Sequence, residues 1–336
     1  EERKGAANMI NLVEEKLNRG HTKENPVLRA RSVFNGRVQR GLYTKEQTAS
    51  PTVSQDAFTM TCIIDAIEER DVAVTDIKGA YLNAKMKDMV IMKIKGPEVG
   101  MFCNLDKNLE KFVTKENGKD TLYVQLDKAL YGCVQSALLW YDLYSTTLES
   151  FGFVLNPYDS CVANADIDGS QCTICWYVDD NKVSHKKSEV VDKVIGWIEG
   201  KFGKMSTTRG DIHDFLGMNV NFKKGKVTIG MKKHILRAID TFLDEIIRSA
   251  ATPAKGYLFE VRDGSTKIDE TRADNFHSVV AALLFISRRC RLDIQVAVGF
   301  LTTRVSEPDE DDWVKLKRVL QYLRGTLDLT LTIGGT

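Results

Sequence analysis

The chain has 336 residues, 43% hydrophobic and 28% charged, with 47 basic against 46 acidic side chains and a formal net charge of +1. Such a balance excludes a disordered polyelectrolyte, six prolines and 24 glycines exclude a collagen-like repeat, and no apolar run approaches the ~18 residues that would span a bilayer. Net charge near zero also argues, on its own, against a nucleic-acid binder, because phosphate contacts need Lys and Arg in excess. At ~150 residues per domain the length suggests about two domains.

Seven cysteines, scattered and odd in number, fit reduced thiols in an intracellular compartment. Cys172 and Cys175 form the only CxxC, and without a second such pair they read as apolar strand residues rather than zinc ligands. The chain opens at Glu1 with no apolar leader and reads as a piece of a longer polypeptide.

In chain order, residues 1–24 alternate charge with Met9, Ile10, Leu12 and Val13 and predict one amphipathic helix on a flexible lead-in. From Pro26 the character changes. Arg29, Arg31, Arg37 and Arg40 arrive with no acid between Glu24 and Glu46, on a predicted strand pair. Ser54 is placed to cap a helix over 55–69, followed by a strand over 72–78 and a turn through Gly79 to Asn83. Residues 90–135 read as β-rich, with a strand over 90–94 and a hairpin about Asn117-Gly118 joining 111–114 to 121–126. A helix over 136–151 precedes a hairpin of strands 161–165 and 172–178 about Asp168-Gly169, whose second strand runs into Asp179-Asp180 and on to 182–184. Ser188 is placed to cap a helix ending near Phe202. Strands over 215–222 and 226–231 and a helix over 232–243 follow. Residues 250–270 read as a linker, and beyond it helices are predicted over 273–289, 294–305 and 310–325, with Gly325 as a C-cap. The chain therefore divides into a mixed α+β part and a smaller helical part.

Asp179-Asp180 ends an apolar strand, Ile174 to Val178. Adjacent carboxylates resist joint ionisation unless a cation compensates. Asp76 ends a second apolar strand and is followed five residues later by Tyr81. Three carboxylates from two strand ends could hold two Mg²⁺ or Mn²⁺ ions roughly 3.5–4 Å apart, the arrangement that serves phosphoryl transfer.

The pairing of Asp76 with YVDD (Tyr177 to Asp180) resembles the motif pair of reverse transcriptases, and the flanking sequence resembles the copia-type long-terminal-repeat retrotransposon polymerases. LRARSVFNG (28–36) resembles that family's opening basic segment, DIKGAYLNA (76–84) its first carboxylate motif, and DKALYGCVQSALLWY (127–141) the segment whose Gln approaches the nucleotide. FLGMNV (215–220) resembles the primer-grip turn, and DDWVKLKRVLQYLRGT (311–326) the last helix before the family's RNase H domain.

The resemblance implies an α+β right-hand polymerase: a lead-in over 1–25, fingers and palm with antiparallel sheet over 26–230, a helical thumb over 231–327, and the start of a connection over 328–336. It implies RNA-directed DNA polymerisation, with Asp76, Asp179 and Asp180 as catalytic metal ligands. Tyr81 matches the aromatic that blocks a ribose 2′-OH, Gln135 a nucleotide contact, and Phe215, Leu216 and Gly217 the primer grip. Arg29 and Arg31, two apart and so on one strand face, are candidates for the triphosphate. A primed RNA or DNA template, dNTPs and other segments of the Pol polyprotein are the implied partners, with no membrane. The implied place is the cytoplasm, within virus-like particles.

Two departures from the family pattern are visible. Gln135-Ser136-Ala137-Leu138 stands where copia-type chains usually read Gln-Ala-Pro-Arg, and Asn181-Lys182 replaces the usual apolar pair after YVDD. Between Asp214 and Asp240 every charged side chain is basic, and Lys223, Lys224, Lys232 and Lys233 are candidates for the nucleic-acid backbone. Arg288, Arg289, Arg291, Lys315, Lys317, Arg318 and Arg324 form further basic groups in the helical part. The average thus conceals segregation, and near-zero net charge no longer excludes nucleic acid. The alternatives are an inactive remnant that only binds nucleic acid or partner chains, and a palm-type nucleotide cyclase, which would need no primer grip.

Overall fold

The computed structural model describes residues 5–16 and 27–334. The first region of the fold is a five-stranded sheet ordered β2-β1-β4-β6-β5. It is built from β1 (Ala7–Lys16), β2 (Val27–Phe34), β4 (Ile91–Lys95), β5 (Thr114–Glu116) and β6 (Lys119–Gln125). Ala7, Phe34, Met92, Ile94, Val99 and Leu122 form its separate small core.

The amphipathic helix expected over 1–24 is instead strand β1 in its described part. It pairs antiparallel with β2 from Met9↔Phe34 to Lys16↔Val27 and parallel with β4 at Ala7 and Asn8. Two neighbouring strands supply backbone partners on both sides, and that tertiary pairing outweighs the local pattern. Residues 1–4 and 17–26 of that expectation lie outside the described residues. The β-rich stretch also contains an unexpected helix, α2 (Pro97–Leu105), opened by Pro97 at its first turn. A 3₁₀ helix over Lys107–Phe112 displaces the strand expected at 111–114, whereas the Asn117-Gly118 turn stands as expected.

The span expected to hold the palm forms a six-stranded sheet ordered β11-β3-β10-β9-β8-β7. Its strands are β3 (Asp71–Asp76), β7 (Val154–Leu155), β8 (Val162–Ile167), β9 (Ser170–Tyr177), β10 (Asp180–His185) and β11 (Ser206–Arg209). β10 lies between β3 and β9 and is antiparallel to both, with Asp180 opposite Asp76 on one side and Tyr177 on the other. Helices α3 (Ser136–Ser150) and α4 (Ser188–Phe202) supply an aromatic core in which Trp140, Tyr144, Trp176 and Phe202 stack or meet edge-on. Ser188 is the first residue of α4 and Lys187 occupies the cap position without a side-chain bond, so the Ser188 cap is not made.

Helix α1 (Gln55–Ile67), capped by Ser54 accepting from the Ala57 N–H, packs between the palm sheet and a third, four-stranded sheet. That cap is worth about 1 kcal/mol. The third sheet runs β12-β13-β14-β15, formed by β12 (Ile212–Phe215), β13 (Met218–Lys223), β14 (Lys226–Gly230) and β15 (Leu331–Gly334). The strand expected across 215–222 is broken by a turn at Leu216-Gly217, where both residues take positive φ. Between β14 and β15, in the span expected as the thumb, the chain is helical: α5 (Lys232–Thr241), α6 (Glu270–Arg289), α7 (Gln295–Thr302) and α8 (Glu310–Gly325).

One charged group interrupts the apolar packing between α1 and the palm. Lys182 of β10 and Asp65 of α1 are each 1% exposed by side chain and form an ion pair. Burial opposes the Lys182 charge, but Asp65 overrides it and holds the ammonium pKa above its ordinary value. Arg70 lies 3.8 Å from the same carboxylate and donates to Thr173 Oγ1 at 3.0 Å. Breaking a buried pair strands the surviving charge, whereas replacing both partners with apolar groups can be nearly neutral. Lys182→Met is therefore expected to lower stability by about 3–5 kcal/mol, and Lys182→Met with Asp65→Leu to recover most of that loss. Denaturant midpoints of the two variants measure this, and a single variant as stable as the parent would show that the pair carries no such weight.

Candidate active site

The chain brings Asp76, Asp179 and Asp180 together at one end of the palm sheet. One carboxylate oxygen from each lies within 4.8 Å of the others, and all three side chains are half-buried. The arrangement follows from register: Asp76 ends β3, Asp180 begins the strand paired to it, and Asp179 occupies the two-residue turn between β9 and β10. Burial first, then the neighbouring Asp179 and Asp76, push the Asp180 carboxyl up to about 6. Such a site favours either a proton or a hard cation with oxygen preference, and the donor set fits a divalent ion of the Mg²⁺ or Mn²⁺ class.

The turn that presents Asp179 is strained and held from three directions. Val178 sits at φ 58°, a conformation that costs a β-branched residue about 1–3 kcal/mol. The Trp140 indole N–H donates to the Val178 carbonyl at 2.7 Å. The Ile77 N–H and the Asn181 side-chain amide both donate to the Asp179 carbonyl at 3.0 Å. Asn181, a departure from the family pattern, is thus part of the brace. Lys182 lies on the same face of β10 as Asp180, about 7 Å along the strand, so its buried pair anchors the strand behind the carboxylates.

Tyr81 lies in a 3₁₀ turn over Ala80–Asn83 just beyond Asp76. Burial, with Tyr131, Asp179 and Tyr177 adding to it, raises its hydroxyl pKa to about 12, so it remains a neutral phenol. Its ring packs on Tyr131, centroids 4.5 Å apart and planes 41° apart. The guanidinium of Arg31 on β2 stands 5.6 Å from the Tyr131 centroid. Arg29 pairs with Glu14 in the β1–β2 register, and its side chain lies outside the described residues. Gln135, immediately before α3, is 8% exposed, and its Oε1 has no hydrogen-bond partner among the described residues.

Phe215 is buried and stacks on Phe58 of α1, centroids 4.8 Å apart, so the Leu216-Gly217 turn is carried on a rigid base. A Cβ at Gly217 would stand 2.6 Å from His234 Nε2 of α5, which ties that turn to the first thumb helix. The basic stretch that follows is exposed and partly matched by acids: Lys224 meets Glu69 at 2.9 Å, Lys232 meets Asp328 at 2.8 Å and Lys233 meets Asp214 at 3.2 Å. Lys223 is exposed beside the β13–β14 turn. In the thumb, Arg291 and Lys315 are buried, the former bound to Asp293 and the Thr326 carbonyl, the latter to Asp311. Those two hold the helices together instead of facing a ligand. The sequence patterns single out neither Trp140, Tyr131 nor His234, because each acts through a partner distant in sequence.

The cysteines are all free and buried among the described residues. Burial raises the thiols of Cys172 and Cys175 to about 12, which suits core side chains and not metal ligands. No helix of the described residues is long and apolar enough to cross a membrane.

Residues 16–254 match the family described as reverse transcriptase (RNA-dependent DNA polymerase). The chain is 24% identical over 316 residues to the retrovirus-related Pol polyprotein from transposon TNT 1-94 of Nicotiana tabacum, covering 92% of this chain and 22% of the relative. It is 23% identical over 318 residues to the transposon Ty1-DR5 Gag-Pol polyprotein of Saccharomyces cerevisiae, covering 90% and 17%. The chain thus spans about a fifth of the length of the curated relatives it matches. Among solved structures, it aligns with the foamy viral protease-reverse transcriptase in complex with double-stranded DNA at a TM-score of 0.45 and 11% identity, covering 98% of this chain and 46% of that one. With the family match covering residues 16–254, most of its length, the chain belongs to the reverse transcriptase family.

Proposed function

We propose that the chain is the RNA-directed DNA polymerase portion of a copia-type Pol polyprotein, transferring nucleotides from dNTPs to a primer 3′-OH on an RNA or DNA template. The observation that carries this reading is the gathering of Asp76, Asp179 and Asp180 at paired strand ends, with Asp180 raised to about 6. Two bound Mg²⁺ or Mn²⁺ ions would neutralise charge on the attacking and leaving oxygens of phosphoryl transfer. The protein supplies no nucleophile. Its three carboxylates hold the cations, and its other residues position the reactants.

In this reading Arg29 and Arg31 take the triphosphate, Tyr81 faces the sugar at C2′, and Gln135 offers the unused acceptor of its Oε1. Phe215, Leu216 and Gly217 hold the primer backbone, on a turn steadied by Phe215 stacked against Phe58 and by His234 packed where a Gly217 side chain would stand. Lys232 and Lys233, which open α5 beside the turn, line its continuation, where phosphates can replace the carboxylates of Asp328 and Asp214, while Lys223 and Lys224, at the other end of the β13–β14 hairpin, meet the nucleic-acid backbone farther along. Other Pol segments are further partners, and the cytoplasm, within virus-like particles, is the fitting location.

Purified chain is expected to extend oligo(dT) on poly(rA) with Mg²⁺ or Mn²⁺, and Asp179→Asn to lower the rate about a hundredfold or more. Extension undiminished in that variant would remove the metal assignment. Tyr81→Val should reduce the preference for dTTP over UTP by roughly tenfold, and an unchanged ratio would deny it a role as gate.

The raised Asp180 carboxyl gives a pH dependence. A proton stabilises the cation-free site below the ordinary carboxylate range, and that stabilisation is lost as pH rises through about 6. A cation must displace the same proton, so Mn²⁺ affinity should be roughly tenfold weaker at pH 5 than at pH 7. Asp180→Asn should flatten this slope. Thermal shifts induced by Mn²⁺ at the two pH values measure it, and equal shifts in the parent chain would contradict the assignment.

A further inference from the structure

Tyr131 is joined to the site on both sides, though neither charge nor metal chemistry marks it in the sequence. Its ring meets Tyr81 at 4.5 Å between centroids and lies under the Arg31 guanidinium at 5.6 Å. Arg31, Tyr131 and Tyr81 therefore form one chain of contacts, the stack, running from strand β2 to the turn beside Asp76. The three side chains are all half-buried, so each keeps a face toward solvent.

The backbone fixes this stack. The Phe34 N–H donates to the Tyr131 carbonyl at 2.8 Å, and the Val134 N–H donates to the buried Gln39 Oε1 at 3.1 Å. Gly132 has φ 94°, and a Cβ there would fall 1.9 Å from the Phe34 carbonyl oxygen. A Cβ on Gly36 would likewise fall 2.0 Å from the Gly132 carbonyl oxygen. The end of β2 and the segment carrying Tyr131 thus cross in direct backbone contact, and neither can shift without the other.

We propose that Tyr131 is a positioning residue of the nucleotide site, holding the triphosphate-facing Arg31 and the sugar-facing Tyr81 in one stack so that a dNTP meets both together. The inference rests on the reading of this site as a dNTP site. An aromatic ring suits the task, because its quadrupole attracts a guanidinium and its face also packs against a neighbouring aromatic ring. The task falls to the ring, which makes both of these contacts. Loss of the ring frees Arg31 and Tyr81 independently, which weakens nucleotide binding and sugar discrimination at once.

The test is steady-state extension of oligo(dT) on poly(rA) by the full chain, with dTTP and UTP as alternative substrates. Tyr131→Ala is expected to raise the KM for dTTP about three- to tenfold with little change in kcat, and to lower the dTTP-over-UTP preference by a similar factor. Tyr131→Phe should stay within about twofold of the parent in both. If the Ala variant melts below the assay temperature, Tyr131→Leu, which keeps bulk without a π face, takes its place with the same expectation. A KM and preference unchanged in the Ala or Leu variant would overturn the proposal, as would a Phe variant as impaired as Ala, or a fall in kcat alone. Tyr81→Val separates the two levels of the argument. If it alters sugar preference while Tyr131 variants do not, the positioning role fails and the polymerase reading stands. If the parent chain extends no primer, both fall.

Discussion

Three carboxylates with oxygens inside a 4.8 Å circle repel one another, and the palm is organised around keeping them there. The repulsion is visible in Asp180, which burial and its two neighbours raise to about 6. Only a backbone with little freedom can impose such a contact. Asp179 is presented on a turn whose first residue, Val178, is in a left-handed conformation unsuited to a branched side chain. That conformation persists because Trp140, Ile77 and Asn181 fix both carbonyls of the turn. Behind the turn, β10 is central in its sheet, with partners along both edges and a buried ion pair to α1.

Helix α1 links this arrangement to the rest of the chain. One side meets the palm through Asp65, and another meets the four-stranded sheet through Phe58 stacked on Phe215. The Leu216-Gly217 turn and the carboxylates are therefore referenced to the same rigid element. On the opposite flank, the crossing at Gly36 and Gly132 does the same for the fingers. Distances among reactants would then be set by contacts buried beneath them and not by the exposed side chains themselves.

The carboxylates were legible in the sequence because their signal is local: acids terminating apolar strands. The same holds for the α1 cap at Ser54, the Asn117-Gly118 turn and helix α8, all governed by residues within a few positions of one another. What was not legible depends on partners far along the chain. Strand β1 exists because β2 and β4 lie beside it, and its own sequence suggested a helix. Lys182 looked like an oddity after YVDD until Asp65 appeared opposite it. Arg291 and Lys315 read in the sequence as members of exposed basic groups and are core cations with their own acids. Strand pairing decided the first of these and burial the others, and neither is written in a local pattern.

Strand β15 bears on how the thumb is hung. It pairs with β14, from Ile229↔Leu331 to Lys226↔Gly334, so the helical region leaves the sheet at one strand and returns to its immediate neighbour. A domain tethered at two adjacent points can rock about the line joining them but cannot swivel freely. Closing so long an excursion costs a loop entropy that grows only slowly with its length, so the β14–β15 pairing fixes the return end of the helical region at little more than the cost of a short one.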